Sequence, residues 1–244
     1  MDRHPARLVG AVQTTLFGSQ PPHIQDLSAL ERVQLDERCW VDVGRDIVHG
    51  TDNLFAALHE ALPWQAFERP MYDRIVAVPR LSAFLDADDA CFPPVVGQIA
   101  RTFSLRYAKQ FDRVGANLYR DGRDSVAWHG DRVRQVHLNP IIAVLSLGGS
   151  RVFRLRPRGG GPSRSIPMHS GDVVVMGGAC QHRWEHCVPK VTRAQPRISL
   201  TFRHDHPPAN EFESTPRERN GSTDPPRWGG FLRQPTQSEP IGSD

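Results

Sequence analysis

The chain of 244 residues has a hydrophobic fraction of 39% and a formal net charge of +3 at pH 7. This length fits one large domain, or one domain with flanking tails, and so mild a charge does not by itself identify a partner. No stretch approaches the ~20 apolar residues of a membrane span, and the residues after Met1 lack the apolar core of a secretory signal. The sequence therefore predicts a protein that is not inserted in a membrane.

Cysteine usage bears on the compartment. The chain has four cysteines without a CxxC pair or a regular framework: Cys39, Cys91, Cys180 and Cys187. This pattern predicts reduced thiols and a cytoplasmic location.

The arginines are ambiguous evidence for a nucleic-acid partner. Lys109 and Lys190 are the only lysines, so 28 of the 30 basic residues are arginine, a skew that is typical of a GC-rich genome. The four arginines of residues 151–158 either meet phosphates or form a solvated strand face and hairpin. Charge alone leaves both interpretations open.

The N-terminal part predicts a loosely ordered segment followed by a helix. We expect residues 1–20 to be loosely ordered. Residues 52–62 predict a short helix, with Asp52 as N-cap and Pro63 after its end. One face of this helix is apolar: Leu54, Leu58 and Leu62.

A strand and a second helix follow. Tyr72 to Val78 predicts a strand, and Pro79 and Arg80 predict a loop after it. Pro93 and Pro94 predict the start of a helix. The buried side of that helix is expected to carry Val96, Ile99 and Phe103.

From Val114 onward the pattern changes to short strands bounded by Gly, Asp or Pro. The segments are VGANLY, IIAVLSL, RVFRLR, DVVVM and RISLTFR. Gly148-Gly149 predicts a tight turn, and residues 159–163 predict a flexible hairpin tip. The fold class is therefore mainly β with flanking helices, as a jelly roll or barrel. Residues 207–244 are rich in Pro, Arg, Ser, Asn and Gly, and predict a mostly disordered tail.

His129-Gly130-Asp131 is a candidate pair of metal ligands. In an extended segment, residues i and i+2 project to one face, so that the imidazole and the carboxylate reach one metal. Two histidines and one carboxylate suit non-haem Fe(II) oxygenases. The pair by itself is weak evidence, because 11 histidines make about one H-x-D expected by chance.

The segment from Arg197 to Arg203 strengthens the case. Ile198, Leu200 and Phe202 alternate with polar residues that include both arginines. A polar face with two arginines fits a strand lining a polar interior, where buried guanidinium groups need an anion such as a dicarboxylate. The alternative is an edge strand whose polar face lies in water. The strand spans ~20 Å, so both arginines must lean inward to reach one small ligand.

An ordered set of motifs resembles the AlkB family of nucleic-acid demethylases. It begins with Asn117-Leu118-Tyr119-Arg120-Asp121-Gly122 and Trp128-His129-Gly130-Asp131. It continues through Pro140-Ile141-Ile142-Ala143, Arg151-Val152-Phe153, Gly171-Asp172, Trp184-Glu185-His186, Val188-Pro189-Lys190 and Pro196 to Arg203. Upstream, residues 79–84 look like the family's substrate-facing loop. The resemblance covers residues 79–204.

The resemblance implies a fold, cofactors and site residues. The fold is a double-stranded β-helix, a cupin-like jelly roll, with a dioxygenase domain at residues 21–206 and its core at about 72–205. The cofactors are Fe(II) and 2-oxoglutarate. The implied metal ligands are His129, Asp131 and His186, and no other catalytic side chain is expected. The implied 2-oxoglutarate residues are Asn117, Tyr119, Arg197, Thr201 and Arg203.

Parity leaves the third metal ligand open, because His182 and His186 are separated by an even number of residues. The resemblance favours His186. Cys180 and Cys187 flank this segment, and we expect them to be buried and inert.

The implied activity is oxidative removal of N-alkyl groups from alkylated DNA or RNA with O2, releasing formaldehyde, as in DNA repair. The base would be single-stranded or flipped to reach the metal, and the enzyme a monomer. Candidate substrate residues are Arg80, Phe84 and Arg132. Relatives carry acidic residues where this chain has Arg132 and Val133, which leaves the substrate open. The alternatives are the same chemistry on a protein or small molecule, and a non-catalytic nucleic-acid-binding module.

Overall fold

The structure, a computed structural model, describes residues 20–71, 74–131 and 139–204. Tyr72, Arg132 and Val133 therefore lie outside the described residues. So do residues 1–19 of the segment predicted at 1–20 and the whole of the tail predicted at 207–244.

The described part of the chain is built around two facing antiparallel sheets. Its strands are β1 (His23–Ile24), β2 (Glu31–Asp36), β3 (Cys39–Gly44), β4 (Val48–His49), β5 (Gln65–Met71), β6 (Arg74–Asp86), β7 (Arg113–Tyr119), β8 (Val126–His129), β9 (Ile142–Gly148), β10 (Arg151–Pro157), β11 (Arg164–Met168), β12 (Val173–Gly178), β13 (Trp184–Val188) and β14 (Arg197–Arg203). Its helices are α1 (Thr51–Ala61), α2 (Pro94–Tyr107) and α3 (Cys180–Arg183), with a 3-10 turn at Leu27–Ala29.

The strand order confirms the jelly-roll prediction. The larger sheet has the order β2-β3-β12-β9-β14-β7-β6-β5, and the smaller has the order β11-β10-β13-β8. A third, two-stranded sheet pairs β1 with β4. The five strands predicted from the sequence after Val114 are all present. The strands that were not predicted are β1, β2, β3, β4, β5, β11 and β13.

Helices α1 and α2 pack on the outer face of the larger sheet. Three alternate residues of β14 are buried in the same hydrophobic cluster as the predicted apolar faces of α1 and α2: Ile198, Leu200 and Phe202. Those faces are Leu54, Leu58, Leu62, Val96, Ile99 and Phe103. Because β14 pairs with β7 on one side and β9 on the other, it is a central strand, and the edge-strand alternative is wrong.

The predicted loop at Pro79 and Arg80 is also wrong. Both residues lie within β6, which continues to Asp86. The pairing of β5 with β6 is irregular between Ala66 and Glu68, opposite this part of β6. Proline lacks an N–H, so it is tolerated at such an irregularity, where it costs no ladder hydrogen bond.

Helix α1 starts one residue before the predicted start. Gly50, with φ of 65°, occupies the N-cap position in place of Asp52. Among the described residues, no helix is long and apolar enough to cross a membrane.

Candidate metal centre and anion pocket

The predicted metal ligands meet at the end of the smaller sheet. His129, the last residue of β8, lies opposite His186 of β13 in the strand register. One ligand atom from each of His129, Asp131 and His186 lies within 4.8 Å of the others. The Nε2 atoms of both histidines are 3.7 Å from the carboxylate oxygens of Asp131. Within the described part of the chain, this is the group whose donor atoms fit one metal ion.

His182 is not in this group. It lies on α3, and the strand begins only at Trp184, so the shared parity of His182 and His186 does not place them on one face. The choice of His186 thus agrees with the geometry.

The protonation states suit metal binding. His129 Nδ1 lies 2.9 Å from the carbonyl oxygen of Ala127, which can only accept, so Nδ1 donates and Nε2 keeps its lone pair for a metal. Burial, with the neighbouring His129, lowers the pKa of His186 to about 3, which keeps its ring neutral. Burial alone would raise the pKa of Asp131, but the charge of the neighbouring Arg203 holds that pKa well below its usual range.

A polar floor faces the metal group from the larger sheet. The strand register aligns Ser82, Asn117, Ser199 and Ser146 in one row across β6, β7, β14 and β9. The next row contains Tyr119 and Arg197, which are direct partners. This is the face that the β14 alternation predicted to be polar.

The two predicted arginines take different positions along this floor. Arg203 donates from Nη2 to Asp131 Oδ1 at 2.7 Å, at the metal end. Arg197 is only 1% exposed, and its Nε donates to Ser146 Oγ at 2.8 Å. Its Nη1 is buried without a hydrogen-bond partner, and its guanidinium carbon lies 5.1 Å from the centre of the Tyr119 ring. A buried, unpaired guanidinium N–H is the kind of donor that an anion satisfies.

Asn117 is oriented by its neighbours. Its Oδ1 accepts from Arg80 Nε at 2.8 Å and from Ser82 Oγ at 2.9 Å. With the oxygen engaged twice, the amide NH₂ is the end that remains to donate to a ligand. Arg80, predicted as a substrate residue in a loop, therefore lies on a strand and holds Asn117. Thr201 is buried on the same polar face.

Phe84 also lies on strand β6. It is half-buried on the interior face, opposite Gly115, and its ring packs edge-on against Phe67 with a centroid distance of 6.1 Å. A Cβ at Gly115 would lie 3.3 Å from the Phe84 ring, so this glycine leaves room for the ring.

Gln181 is a supporting residue that sequence reasoning missed. Its side-chain Oε1 accepts from the backbone N–H of Asp131 at 2.9 Å. Arg158 donates to the carbonyl oxygens of Gln181 and His182 at 3.3 and 3.0 Å and so holds α3. Nothing in the sequence marks this contact, because it joins residues 50 positions apart.

The cysteines beside the site are buried free thiols, as predicted. Burial raises the pKa of Cys180 to about 12, and burial also raises the pKa of Cys187. Neither belongs to the metal group.

Comparison with known proteins defines the class. Residues 60–203 match the family model described as 2OG-Fe(II) oxygenase superfamily. That match spans more than half of the chain, so the chain belongs to this superfamily, whose cofactors are Fe(II) and 2-oxoglutarate.

The relatives lie in the AlkB family, which confirms the resemblance found in the sequence. The cattle alpha-ketoglutarate-dependent dioxygenase alkB homolog 3 is 31% identical over 177 residues, covering 64% of this chain and 62% of the relative. Its human counterpart is 36% identical over 124 residues, covering 47% and 43%. The human DNA oxidative demethylase ALKBH2 is 32% identical over 119 residues, covering 45% and 46%. The chain thus spans less than two thirds of each of these relatives.

A solved structure of OsALKBH1 overlaps with a TM-score of 0.49 at 16% identity, covering 67% of this chain and 97% of that one.

Proposed function

We propose that the chain is an Fe(II)- and 2-oxoglutarate-dependent dioxygenase that removes N-alkyl groups from DNA or RNA bases and releases formaldehyde. The observation that carries the proposal is the buried guanidinium of Arg197, whose unpaired N–H lies on the same interior face as Arg203 beside the His–Asp–His group. An anion pocket next to a facial triad has no use in a plain nucleic-acid-binding module.

The donor set fits Fe(II). His129, Asp131 and His186 supply two neutral imidazoles and one carboxylate, which leaves three octahedral positions for co-substrate and O2. When bound, Fe(II) with 2-oxoglutarate supplies the oxidation of an N-alkyl group, in which the co-substrate gives succinate and CO2. No side chain needs to act as a strong acid or base.

The chain's own residues bind and orient the co-substrate. Arg203 lies beside Asp131 and fits the keto-acid end, while Arg197 and Tyr119 fit the distal carboxylate deeper in the sandwich. Asn117 donates its amide NH₂, which Arg80 and Ser82 turn toward the ligand. Thr201 adds a hydroxyl on the same face. In this proposal the two arginines bind opposite ends of one small ligand, so they do not have to reach the same point.

The first experiment tests the cofactors. Alanine at His129, Asp131 or His186 should abolish Fe(II)-dependent 2-oxoglutarate turnover, whereas His182→Ala, on the exposed face of α3, should keep most of it.

Arg197→Ala and Arg203→Ala should each weaken 2-oxoglutarate binding several-fold or more, because an ionic hydrogen bond contributes ~1.5–3 kcal/mol. Unchanged 2-oxoglutarate titration in both arginine variants would remove the anion pocket from the proposal.

The substrate assignment rests on the relatives' names and on an aromatic near the pocket. One relative is named a DNA oxidative demethylase. Phe84 lies on the interior face, in the row of residues next to the one that contains Arg113 and Arg203. Its ring can stack there on a flipped or single-stranded base, and such stacking contributes ~1–3 kcal/mol to binding. Arg132, beyond the described residues, is proposed to tune which alkylated base is accepted. We propose that the enzyme acts as a monomer.

The second experiment tests the substrate. Formaldehyde and succinate are measured on matched methylated and unmethylated single-stranded oligonucleotides. Phe84→Ala should lose oligonucleotide-stimulated turnover but keep uncoupled 2-oxoglutarate decay. Phe55→Ala is the matched control, since Phe55 is a partly buried aromatic on the helix-covered side of the same sheet. No stimulation by any methylated strand would shift the substrate to a protein or a small molecule.

A further inference from the structure

Arg151 is a second buried guanidinium beside Tyr119. It is the first residue of β10 and is only 4% exposed. Its guanidinium carbon lies 5.5 Å from the centre of the Tyr119 ring, and that of Arg197 lies 5.1 Å from the same ring. Two cationic groups from opposite sheets therefore meet at one aromatic ring of the proposed 2-oxoglutarate pocket.

The hydrogen bonds of Arg151 leave its charge without a contacting carboxylate among the described residues. Its Nη1 donates to the carbonyl oxygen of Asp121 at 3.2 Å, and its Nη2 donates to those of Asp124 and Pro189 at 2.8 and 2.6 Å. The carboxylate of Asp124 is instead bound by Arg120 in a two-point contact at 2.8 and 2.9 Å. The Nε of Arg151 is buried without a hydrogen-bond partner.

Two unneutralised guanidinium groups in one interior are costly unless an anion joins them. Burial lowers the pKa of Arg151 and of Arg197, and the charge of Arg151 lowers that of Arg197 further. Arg151 Nε and Arg197 Nη1 are both buried without a hydrogen-bond partner among the described residues. Both unpaired donors thus come from guanidinium groups that share one ring.

We propose that Arg151 is a second cationic residue at the Arg197 and Tyr119 end of the proposed 2-oxoglutarate site and makes that site selective for a 2-oxo acid with a distal carboxylate. This inference rests on the proposed function and deepens it, because it names the residue that adds to Arg197 and Tyr119 in reading the far end of the ligand. The near end, at Arg203 and the metal group, does not involve Arg151.

The test compares two ligands that differ only at the far end. Binding of 2-oxoglutarate and of 2-oxobutyrate, which lacks the distal carboxylate, is measured by calorimetry on anaerobic protein loaded with Mn(II), which does not turn over. Arg151→Met should weaken 2-oxoglutarate binding on the order of tenfold and change 2-oxobutyrate binding less than about twofold. Arg154→Met, on the same strand but exposed, should change neither.

The ratio of the two dissociation constants separates ligand binding from a purely structural role. Arg151 also holds three backbone carbonyls, so Arg151→Lys is measured beside Arg151→Met and should lose part of the preference. If Arg151 only held the backbone in place, its replacement would weaken the binding of both ligands equally. The ratio of the two dissociation constants would then stay unchanged in both variants, and this result would overturn the inference. If the wild-type protein binds no 2-oxoglutarate, both the proposed function and the inference about Arg151 fail. If Arg197→Met loses the preference while both Arg151 variants keep it, only the role of Arg151 fails.

Discussion

At the scale of single residues, Gly130 shows how the metal group is built. A Cβ at this position would lie 2.6 Å from the carbonyl oxygen of Gln181 and 2.5 Å from Arg158 Nη2. Gln181 lies on helix α3, and its side-chain oxygen accepts a hydrogen bond from the Asp131 N–H. The glycine between His129 and Asp131 therefore lets α3 approach closely enough to hold the carboxylate ligand.

Gly130→Ala should displace Asp131, since a backbone carbonyl cannot move aside as a flexible side chain can. We expect metal affinity to fall roughly 10- to 100-fold, as for other changes to groups that support metal ligands. Mn(II) titration of the purified protein measures it.

Gln181→Ala tests the same link from the other side. It removes the acceptor for the Asp131 N–H and should weaken Mn(II) binding in the same direction without a new steric contact. If Gly130→Ala and Gln181→Ala both bind Mn(II) like wild type, α3 does not position the carboxylate.

At the scale of elements, β14 separates the core from the site. Its odd-numbered residues are polar and face the smaller sheet, and its even-numbered residues pack against α1 and α2. Because strand side chains alternate, each inward polar residue is adjacent to an outward apolar one that anchors it. The helices thus stabilise the floor of the site without contributing a residue to the metal group.

Helix α2 offers a stabilising change away from the site. Gly97 lies inside this helix, and an added Cβ would meet only the Ala87 carbonyl oxygen at 3.5 Å and an Arg101 nitrogen at 3.8 Å. Gly97→Ala should raise the free energy of unfolding by about 0.5–1 kcal/mol, because it reduces the conformational freedom of the unfolded chain. Urea denaturation measures the change.

Gly44→Ala is the opposite case. A Cβ on Gly44 would lie 2.4 Å from Leu30 Cδ2 and 2.5 Å from Ile47 Cγ1, so the substitution should destabilise the protein. If Gly97→Ala and Gly44→Ala changed the free energy of unfolding in the same direction, the space around each glycine would not explain the two effects.

At the scale of the whole molecule, two hydrophobic layers hold the described fold together. One lies between the larger sheet and the helices, and the other lies between the two sheets. The interior between the sheets is apolar around β3, β10 and β12 and polar where β7 and β14 face the metal group. Because the apolar part of this interior holds the two sheets together, the polar part can carry ligand-binding side chains in place of hydrophobic ones.

Deleting residues 207–244 should leave this fold intact. Both hydrophobic layers of the described chain are formed by residues up to Phe202, and β14 already has a partner on each side. We expect the melting temperature to stay within a few degrees and 2-oxoglutarate affinity within about twofold. A large fall in melting temperature would show that the removed segment packs on the sandwich.

The local pattern of the sequence was sufficient for much of the fold. The metal group needed the family resemblance as well, because parity left His182 and His186 equally possible as the third ligand. The alternation of residues 197–203 predicted a polar interior face, and the leucine spacing of residues 52–62 predicted the buried face of α1. These features depend on the period of a strand or a helix, which is a local property. Edge strands such as β2 and β11 carried too few apolar residues to be recognised.

Strand register and sheet contacts decided the rest. Pro79 lies in a strand because β5 is irregular opposite it, and Arg80 holds Asn117 because β6 pairs with β7. Arg151 points inward to Tyr119, while Arg154 of the same strand is exposed. Gln181 meets Asp131 across 50 residues of chain. Such contacts depend on which strands become neighbours, and local periodicity contains no information about pairing between distant segments.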